Sequence, residues 1–514
     1  MPPPRGCHRP SSMSSNAAGA RIETAPRDLI TYNFMGKIKA KVRAAASASD
    51  TRRYARDPLT AVSPIDGRYA ALTAPLSLFF GEAALIRHRI EIEAVYLELL
   101  CGCPGTGIRR LNKNELVILR GLKELSPAGA ARVKEIEAGT RHDMKAAEYF
   151  IKEKLARTTM RDLGEFVHFA LTSEDINNFA YALMLSRALS SELLPALREV
   201  LGELKKLARA HAGAPLLART HGQPAVGTTF GKEFAVFAAR LEKQVSALGS
   251  LRISVKFSGA AGNYNAHHAA FPGTDWPAFS RRMTAKAGMG LEVKLELTPV
   301  ATQIEPHDTY AELFDALRRT NTILLDLCQD MWRYISDDLV VQKQVRGEVG
   351  SSTMPQKINP IQFENAEGNL GLANALCAFF SAKLPVSRLQ RDLSDSTVER
   401  NFGTAFAHSL IAYRSILDGL NRSAVDERKA AAGLYERPDV YAEAVQTVLR
   451  REGFKKPYEA LKELTRGRRI THSDLEAFIK KLAVRPAVRA ELLNLIAAPY
   501  IGLAEKLAKS AAGN

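Results

Sequence analysis

Cysteine is scarce. The five present, Cys7, Cys101, Cys103, Cys328 and Cys377, are odd in number and scattered over 514 residues. That excludes a disulfide framework and suits reduced thiols in a cytosol-like compartment. Cys101 and Cys103 come nearest to a metal motif, but no second cluster stands beside them. No uninterrupted apolar run of about eighteen residues occurs, so no membrane-spanning helix and no membrane partner are expected. Strand-like alternation is nearly missing, apart from a short piece at 291–297. A dense basic stripe with interleaved aromatics is also missing, so a nucleic-acid partner is not expected.

What is present is an ordinary globular composition, 46% hydrophobic and 25% charged, in a chain long enough for a large core. The net charge of +16 divides unevenly. Residues 1–53 hold ten Arg or Lys against Glu23, Asp28 and Asp50, and so supply +7. The remaining +9 is spread thinly, as a basic pocket for a small, strongly anionic substrate would require. Residues 1–56 are rich in Pro, Ser, Ala and Arg and poor in acids. That is the composition of an organellar transit peptide, and equally of a disordered tail.

The texture changes at Asp57, and helical spacing dominates from there. Leu85, Ile92, Tyr96 and Leu99 mark one face. Leu193, Leu197, Val200, Leu204 and Leu207 mark another, with Pro195 near its start as a tolerated residue or a kink. Phe230, Phe234, Phe237, Leu241, Val245 and Leu248 form a third, and Leu313, Leu317, Leu324, Leu327 and Met331 a fourth. In a further helix the apolar residues run through Leu372, Ala375 and Phe379. Apolar content nearly all round these helices predicts packing against more than one neighbour, hence an oligomerising bundle. The expected fold is all-α. Its expected parts are the tail 1–56, an N-terminal helical domain 57–163, a central helical bundle 164–404 and a C-terminal helical domain 405–514.

Polar residues gather in the breaks between these helices. The segment 347–360, GEVGSSTMPQKINP, sets Ser351 and Ser352 among glycines, with Lys357 as its cation and two prolines that bar a continuous helix. It reads as a mobile catalytic loop or as a polar inter-helix loop. Arg141, His142 and Asp143 adjoin just before a new helix. His168 precedes the stretch LTSEDINN. His221 stands in RTHGQPA beside a glycine, better exposed than a histidine on an apolar face. TQIEPHD at 302–308 makes a polar corner, and Arg391, Ser396 and Arg400 lie in a charge-rich stretch.

These segments carry a resemblance. GSSTMPQKINP at 350–360 is similar to the GSSxMPxKxNP signature of the fumarase/aspartase superfamily of β-eliminating lyases, matching eight fixed positions in eleven. SPIDGRY, TSEDINN, RTHGQPA, GNYNAH, TQIEPHD and RDLSDST resemble the bacterial and plant-type branch of the adenylosuccinate lyase family, from about residue 59 to the C-terminus. The counterparts in argininosuccinate lyases and fumarases read differently.

The resemblance implies a fumarase/aspartase-like three-domain fold with a central long-helix bundle. It implies cleavage of adenylosuccinate to AMP and fumarate, and of its imidazole precursor SAICAR to AICAR and fumarate. It further implies a homotetramer with shared active sites and no metal or organic cofactor. On it, Ser351 is the general base and His221 the general acid, with Glu364 orienting His221. His142 is a second histidine near the chemistry.

Arg68, Tyr69, Ser396 and Arg400 are the implied nucleotide-phosphate contacts. Arg141, Asp143, His168, Thr172, Ser173, Gln303, Lys357, Asn359 and Arg391 are the other implied substrate-binding positions. Two departures stand out. Gln356 replaces a usual His, and Arg141 replaces a usual Asn and adds charge near the site. A cytoplasmic location is expected, or a plastid or mitochondrial matrix if residues 1–56 are a transit peptide.

Overall fold

The computed structural model describes residues 57–343, 347, 353–354, 356–467 and 469–513. The tail 1–56 and the expected base Ser351 lie outside the described residues. Residues 57–63 form a unit of their own, with a single helical turn, Pro58–Thr60, opened by the Asp57 carboxylate accepting from Leu59 N at 2.9 Å. All that follows concerns residues 64–513.

The structure is helical, as expected, with three small two-stranded sheets. The helices that place the site are α1 (Glu82–Leu100), α2 (Pro127–Thr140), α3 (Asp143–Leu155), α4 (Ser173–Ala188), α5 (Leu194–Ala210), α6 (Phe230–Ser250), α7 (Asp308–Ser336), α8 (Ile361–Lys383), α9 (Ser394–Glu399) and α10 (Phe402–Asn421). Residues 70–100 are apolar enough, at mean hydropathy 1.3, to match a membrane span by length and composition. The run is broken at Gly81, however, and its second part, α1, is a core helix that also carries Arg89 and Glu93 inward.

Five helices close into a ring. α5 packs on α6, α6 on α7, α7 on α8, α8 on α10, and α10 back on α5. With 29 residues, α7 spans about 43 Å at the usual rise of an α-helix, and it sets the length of the bundle. The stripes expected on α6 and α7 are buried without exception. Pro195 is tolerated rather than disruptive. It has no N–H to give to a carbonyl one turn back, and the chain takes a single π turn, Leu189–Leu193, immediately before α5.

On α8 the buried line is Phe363, Ala366, Leu370, Ala373, Cys377 and Phe380, while Leu372 and Phe379 face out. The expected boundary at 404/405 falls inside α10, which belongs to the main core. A second, smaller core lies among Leu434, Val445, Leu475, Leu492 and their neighbours.

One feature departs from the sequence reading. The segment around His221 is a β-hairpin of β1 (Pro215–Thr220) and β2 (Gln223–Thr229), not a loop. The strand expected near 291–297 is present as Lys294–Leu297, paired in parallel with Arg252–Val255.

Candidate active site

The site is built where helices begin. α2 ends in Arg141, whose φ of 53° is the left-handed conformation of a helix C-terminus. Asn adopts that conformation more readily than Arg, so the departure at 141 carries a backbone cost as well as a charge. Two residues on, α3 starts. His142 is its N-cap, with Nδ1 accepting from Lys145 N at 3.2 Å and the rest of the ring exposed.

Asp143 turns the other way, into a pair of arginines. Arg89 of α1 lies 2.8 Å from its carboxylate and Arg400 lies 3.0 Å away. Partial burial raises the Asp143 pKa, but the two guanidiniums outweigh it and hold the carboxyl at about 2.

From Arg89 the network runs on without a break. Its Nε donates to Asn177 Oδ1 at 2.9 Å, and Asn177 approaches Glu174 at 3.5 Å. The Glu174 carboxylate pairs with Arg391 at 3.1 Å, and Arg391 also donates to Gln303 Oε1 at 3.3 Å. Gln303 is fixed in turn by donating to the Ala260 carbonyl at 3.1 Å. Gly262 makes that approach possible, because a β-carbon there would overlap the Ala301 carbonyl oxygen.

The same wall takes in the start of α4. Thr172 N donates to Asp175 Oδ2 at 3.0 Å, and Ser173 is the first helical residue. Asp175 is fully buried against Lys256 at 2.9 Å and accepts from Ser258 N and Gly259 N. His168 stands beside it at a φ of 58°, with its Nδ1 2.5 Å from the buried Glu93 carboxylate. Burial pulls the His168 pKa down, but Glu93 more than offsets that and raises it. Ser396 N donates to Asp395 at 2.6 Å in the first turn of α9, between Arg391 and Arg400. Asp143, Gln303, Arg391 and Arg400 thus share one polar wall, which Thr172 and Ser173 adjoin through Glu174 in the chain and Ser396 through Asp395, while His168 is held by Glu93.

The other expected residues are elsewhere. His221 is at the tip of the hairpin. Thr220 pairs with Gln223, leaving His221 and Gly222 as a two-residue turn with φ of 51° and 72°. Two successive positive φ values are what a type I′ hairpin turn requires. The imidazole is exposed, and among the described residues nothing hydrogen-bonds to it. Gly227 seats the hairpin on the smaller core, since a β-carbon there would meet the Tyr500 carbonyl.

Glu364, in the first turn of α8, accepts from Trp332 Nε1 at 3.2 Å. Next to it Asn365 accepts from the Tyr69 hydroxyl at 2.6 Å, and Arg68 lies over the Tyr69 ring. Lys357 and Gln356 are exposed and Asn359 is half-buried in the stretch leading into α8. Among the described residues, no hydrogen bond or ion pair joins the polar wall, the hairpin tip and the start of α8 to one another.

Sequence reasoning passed over Arg89, Glu174 and Asn177, which hold the wall together, and Glu93, which holds His168. The signal was there in part. Arg89 and Glu93 are charged residues on the buried face of an apolar helix, and Glu174 lies within TSEDINN. Glu174, His307 and Glu399 also bring one donor atom each to within 4.8 Å of one another. A divalent cation there would stand against the Arg391 guanidinium already bound to Glu174, so the grouping does not suit a metal.

A lyase family profile matches residues 111–374, and an adenylosuccinate lyase C-terminal profile matches 387–501. The chain is 46% identical over 465 residues to the adenylosuccinate lyase of Dictyostelium discoideum, covering 88% of this chain and 99% of that one. It is 45% identical over 453 residues to that of Escherichia coli K12, covering 87% and 97%. Two solved structures share the fold. The 3-carboxy-cis,cis-muconate lactonizing enzyme of Pseudomonas putida has a TM-score of 0.65 at 20% identity, covering 85% of this chain and 96% of that one. A fumarate lyase of Mesorhizobium sp. BNC1 has 0.66 at 18%, covering 86% and 98%.

Proposed function

The chain belongs to the adenylosuccinate lyase family, and from that premise we propose that it eliminates fumarate from adenylosuccinate, giving AMP, and from SAICAR, giving AICAR, at sites shared between subunits of a homotetramer. The reaction removes a proton from the carbon beside a succinyl carboxylate, breaks the bond from the neighbouring carbon to nitrogen, and returns a proton to that nitrogen. It needs a base, an acid, and cations facing the carboxylate on which charge accumulates. Ser351 is the proposed base, with Lys357 supplying positive charge to its alkoxide. His221 is the proposed acid, held outward on a rigid turn where it can enter a neighbour's site, with Glu364 as its orienting carboxylate. His142 and His168 border the reacting end. Arg391, Arg400 and Arg68 bind the substrate's carboxylates and phosphate as charge-assisted partners.

The observation that carries this reading is the unbroken chain Arg400–Asp143–Arg89–Asn177–Glu174–Arg391–Gln303. It holds the Arg391 and Arg400 guanidiniums in one connected network. The separation of His221 and Glu364 from that network within one chain supports assembly from several subunits, as does the outward Leu372 and Phe379 of α8. Residues 1–56 are proposed as a transit segment or a tail on an otherwise cytoplasmic enzyme. A fluorescent fusion of that segment that stays cytosolic removes the transit reading.

The activity itself is tested by incubating the protein with adenylosuccinate and following ultraviolet absorbance, with AMP and fumarate identified chromatographically. Formation of both in equal amounts supports the reading, and their absence with well-folded protein contradicts it.

A further inference from the structure

Behind Arg391 the chain buries more negative charge than it pairs. Glu174, Asp395 and Glu399 are all buried, and Arg391 is the guanidinium they face, at 3.1 Å from Glu174 and 3.9 Å from Asp395. The other nearby cations are committed elsewhere, Arg89 to Asp143, Lys256 to Asp175 and Lys383 to the Val386 carbonyl. His307 completes the group from the N-cap of α7, its ring stacked on Tyr310 at 5.0 Å between centroids.

The His307 tautomer follows from its neighbours. Nδ1 lies 3.4 Å from the Leu384 carbonyl oxygen, which can only accept, so the ring proton belongs on Nδ1. Nε2 then presents a lone pair to Glu399 Oε1, 3.6 Å away. Glu174 Oε1, His307 Nε2 and Glu399 Oε1 are all buried with no hydrogen-bond partner. Three buried acceptors facing one another are costly unless one of them carries a proton.

We propose that Glu399 is kept as the neutral carboxylic acid, its proton directed at His307 Nε2, and that this neutral pair leaves Glu174 ionised as the positioning residue that aims Arg391 at the substrate. Glu399 is the right member to hold the proton. Its surroundings are Glu174 and Tyr181 of α4, His307 and Tyr310 of α7, Asp395 and Arg391 ahead of it, and Arg89 of α1, and none of the cations touches it directly. Burial raises its pKa well above the carboxylate range, and Glu174 and Asp395 add to that. Burial raises the Glu174 pKa as well, to about 7, but Glu174 has the Arg391 guanidinium at 3.1 Å and Glu399 has no such partner among the described residues, so the proton goes to Glu399 first. Burial holds His307 neutral, at about 4. The positioning half rests on Arg391 contacting substrate, as proposed above, whereas the protonation of Glu399 does not.

Infrared difference spectroscopy of the full chain against Glu399→Gln tests the buried acid. The expected result is a protonated-carboxyl C=O band at neutral pH that is present in the parent and absent from the variant. Carboxyl labelling of glutamate with ¹³C assigns the band to a Glu without any substitution, so misfolding of the variant leaves the test intact. Glu399→Gln, which keeps a donor in place of the acid, should hold KM and kcat for adenylosuccinate within about twofold, and Glu174→Gln should raise KM at least about tenfold with a smaller fall in kcat.

Absence of the band overturns the buried acid, as does a stoichiometric divalent metal that copurifies with the parent and is lost from His307→Ala. A band that persists while Glu174→Gln leaves KM unchanged overturns the positioning role. A band present in a protein that does not cleave adenylosuccinate supports the buried acid and contradicts only the activity.

Discussion

Arg89 donates at once to Asp143, at 2.8 Å, and to Asn177, at 2.9 Å, and so ties the turn that carries His142 to the helix that opens at Thr172. One buried guanidinium fixes the spacing between two parts of the candidate site. Replacing it with Met should leave Asp143 with Arg400 as its one guanidinium partner and Asn177 Oδ1 without its donor. We expect a loss of about 3 kcal/mol, the low end for breaking a buried pair because Asp143 keeps some access to water. Denaturant unfolding measures this.

The same pair sets an acid limb. The folded-state pKa of Asp143 is depressed from 3.8 to about 2. A depressed carboxyl contributes its stability in full above the unfolded value and loses it as pH falls through the folded value. The contribution, roughly 2 kcal/mol from a shift of this size, should therefore disappear between about pH 4 and pH 2. Asp143→Asn should flatten that part of the stability-against-pH curve, and an unchanged slope would contradict the assignment.

Asp175 and Lys256 make the most enclosed ion pair among the described residues, both side chains being wholly buried. Asp175 also accepts from Thr172 N, Ser258 N and Gly259 N, so it holds the first turn of α4 against the 256–264 segment. Lys256→Met should cost about 3–5 kcal/mol by stranding a buried carboxylate. Replacing both partners with apolar residues should cost less than replacing Lys256 alone, and a double-mutant cycle reads the difference.

Leu372 and Phe379 lie seven residues apart on α8, each about half exposed, while the opposite face of the helix is core. An apolar pair on a solvent face is explained if a second copy covers it. Leu372→Glu should shift the protein toward smaller species in sedimentation velocity and lower activity in proportion. A variant that sediments as the parent does would remove α8 from the interface.

The long helices were legible because their apolar residues recur at three and four, and because Pro195 marks the start of one of them. The hairpin at 215–229 was not legible. PLLART and QPAVGTT do not alternate, and the positive φ of His221 is a conformation that sequence does not display. The motifs named the candidate site residues, since those occur in short runs. Their supports did not show, because Arg89 to Asp143, Glu93 to His168 and Glu174 to Arg391 are pairings between distant segments. The outward Leu372 and Phe379 were read as part of an apolar helix without a direction. Only the packing of α8 on α7 and α10 tells which side is in.

Three parts of the chain, separate within one subunit, are proposed to meet only on assembly. Mixing His221→Ala with Ser351→Ala, each inactive alone, tests this most directly. Dissociation and reassociation of the two in equal amounts should restore about one quarter of parental adenylosuccinate cleavage, since half of the sites draw an intact histidine and half of those an intact serine. Hybrids that assemble fully and remain inactive would contradict the shared site.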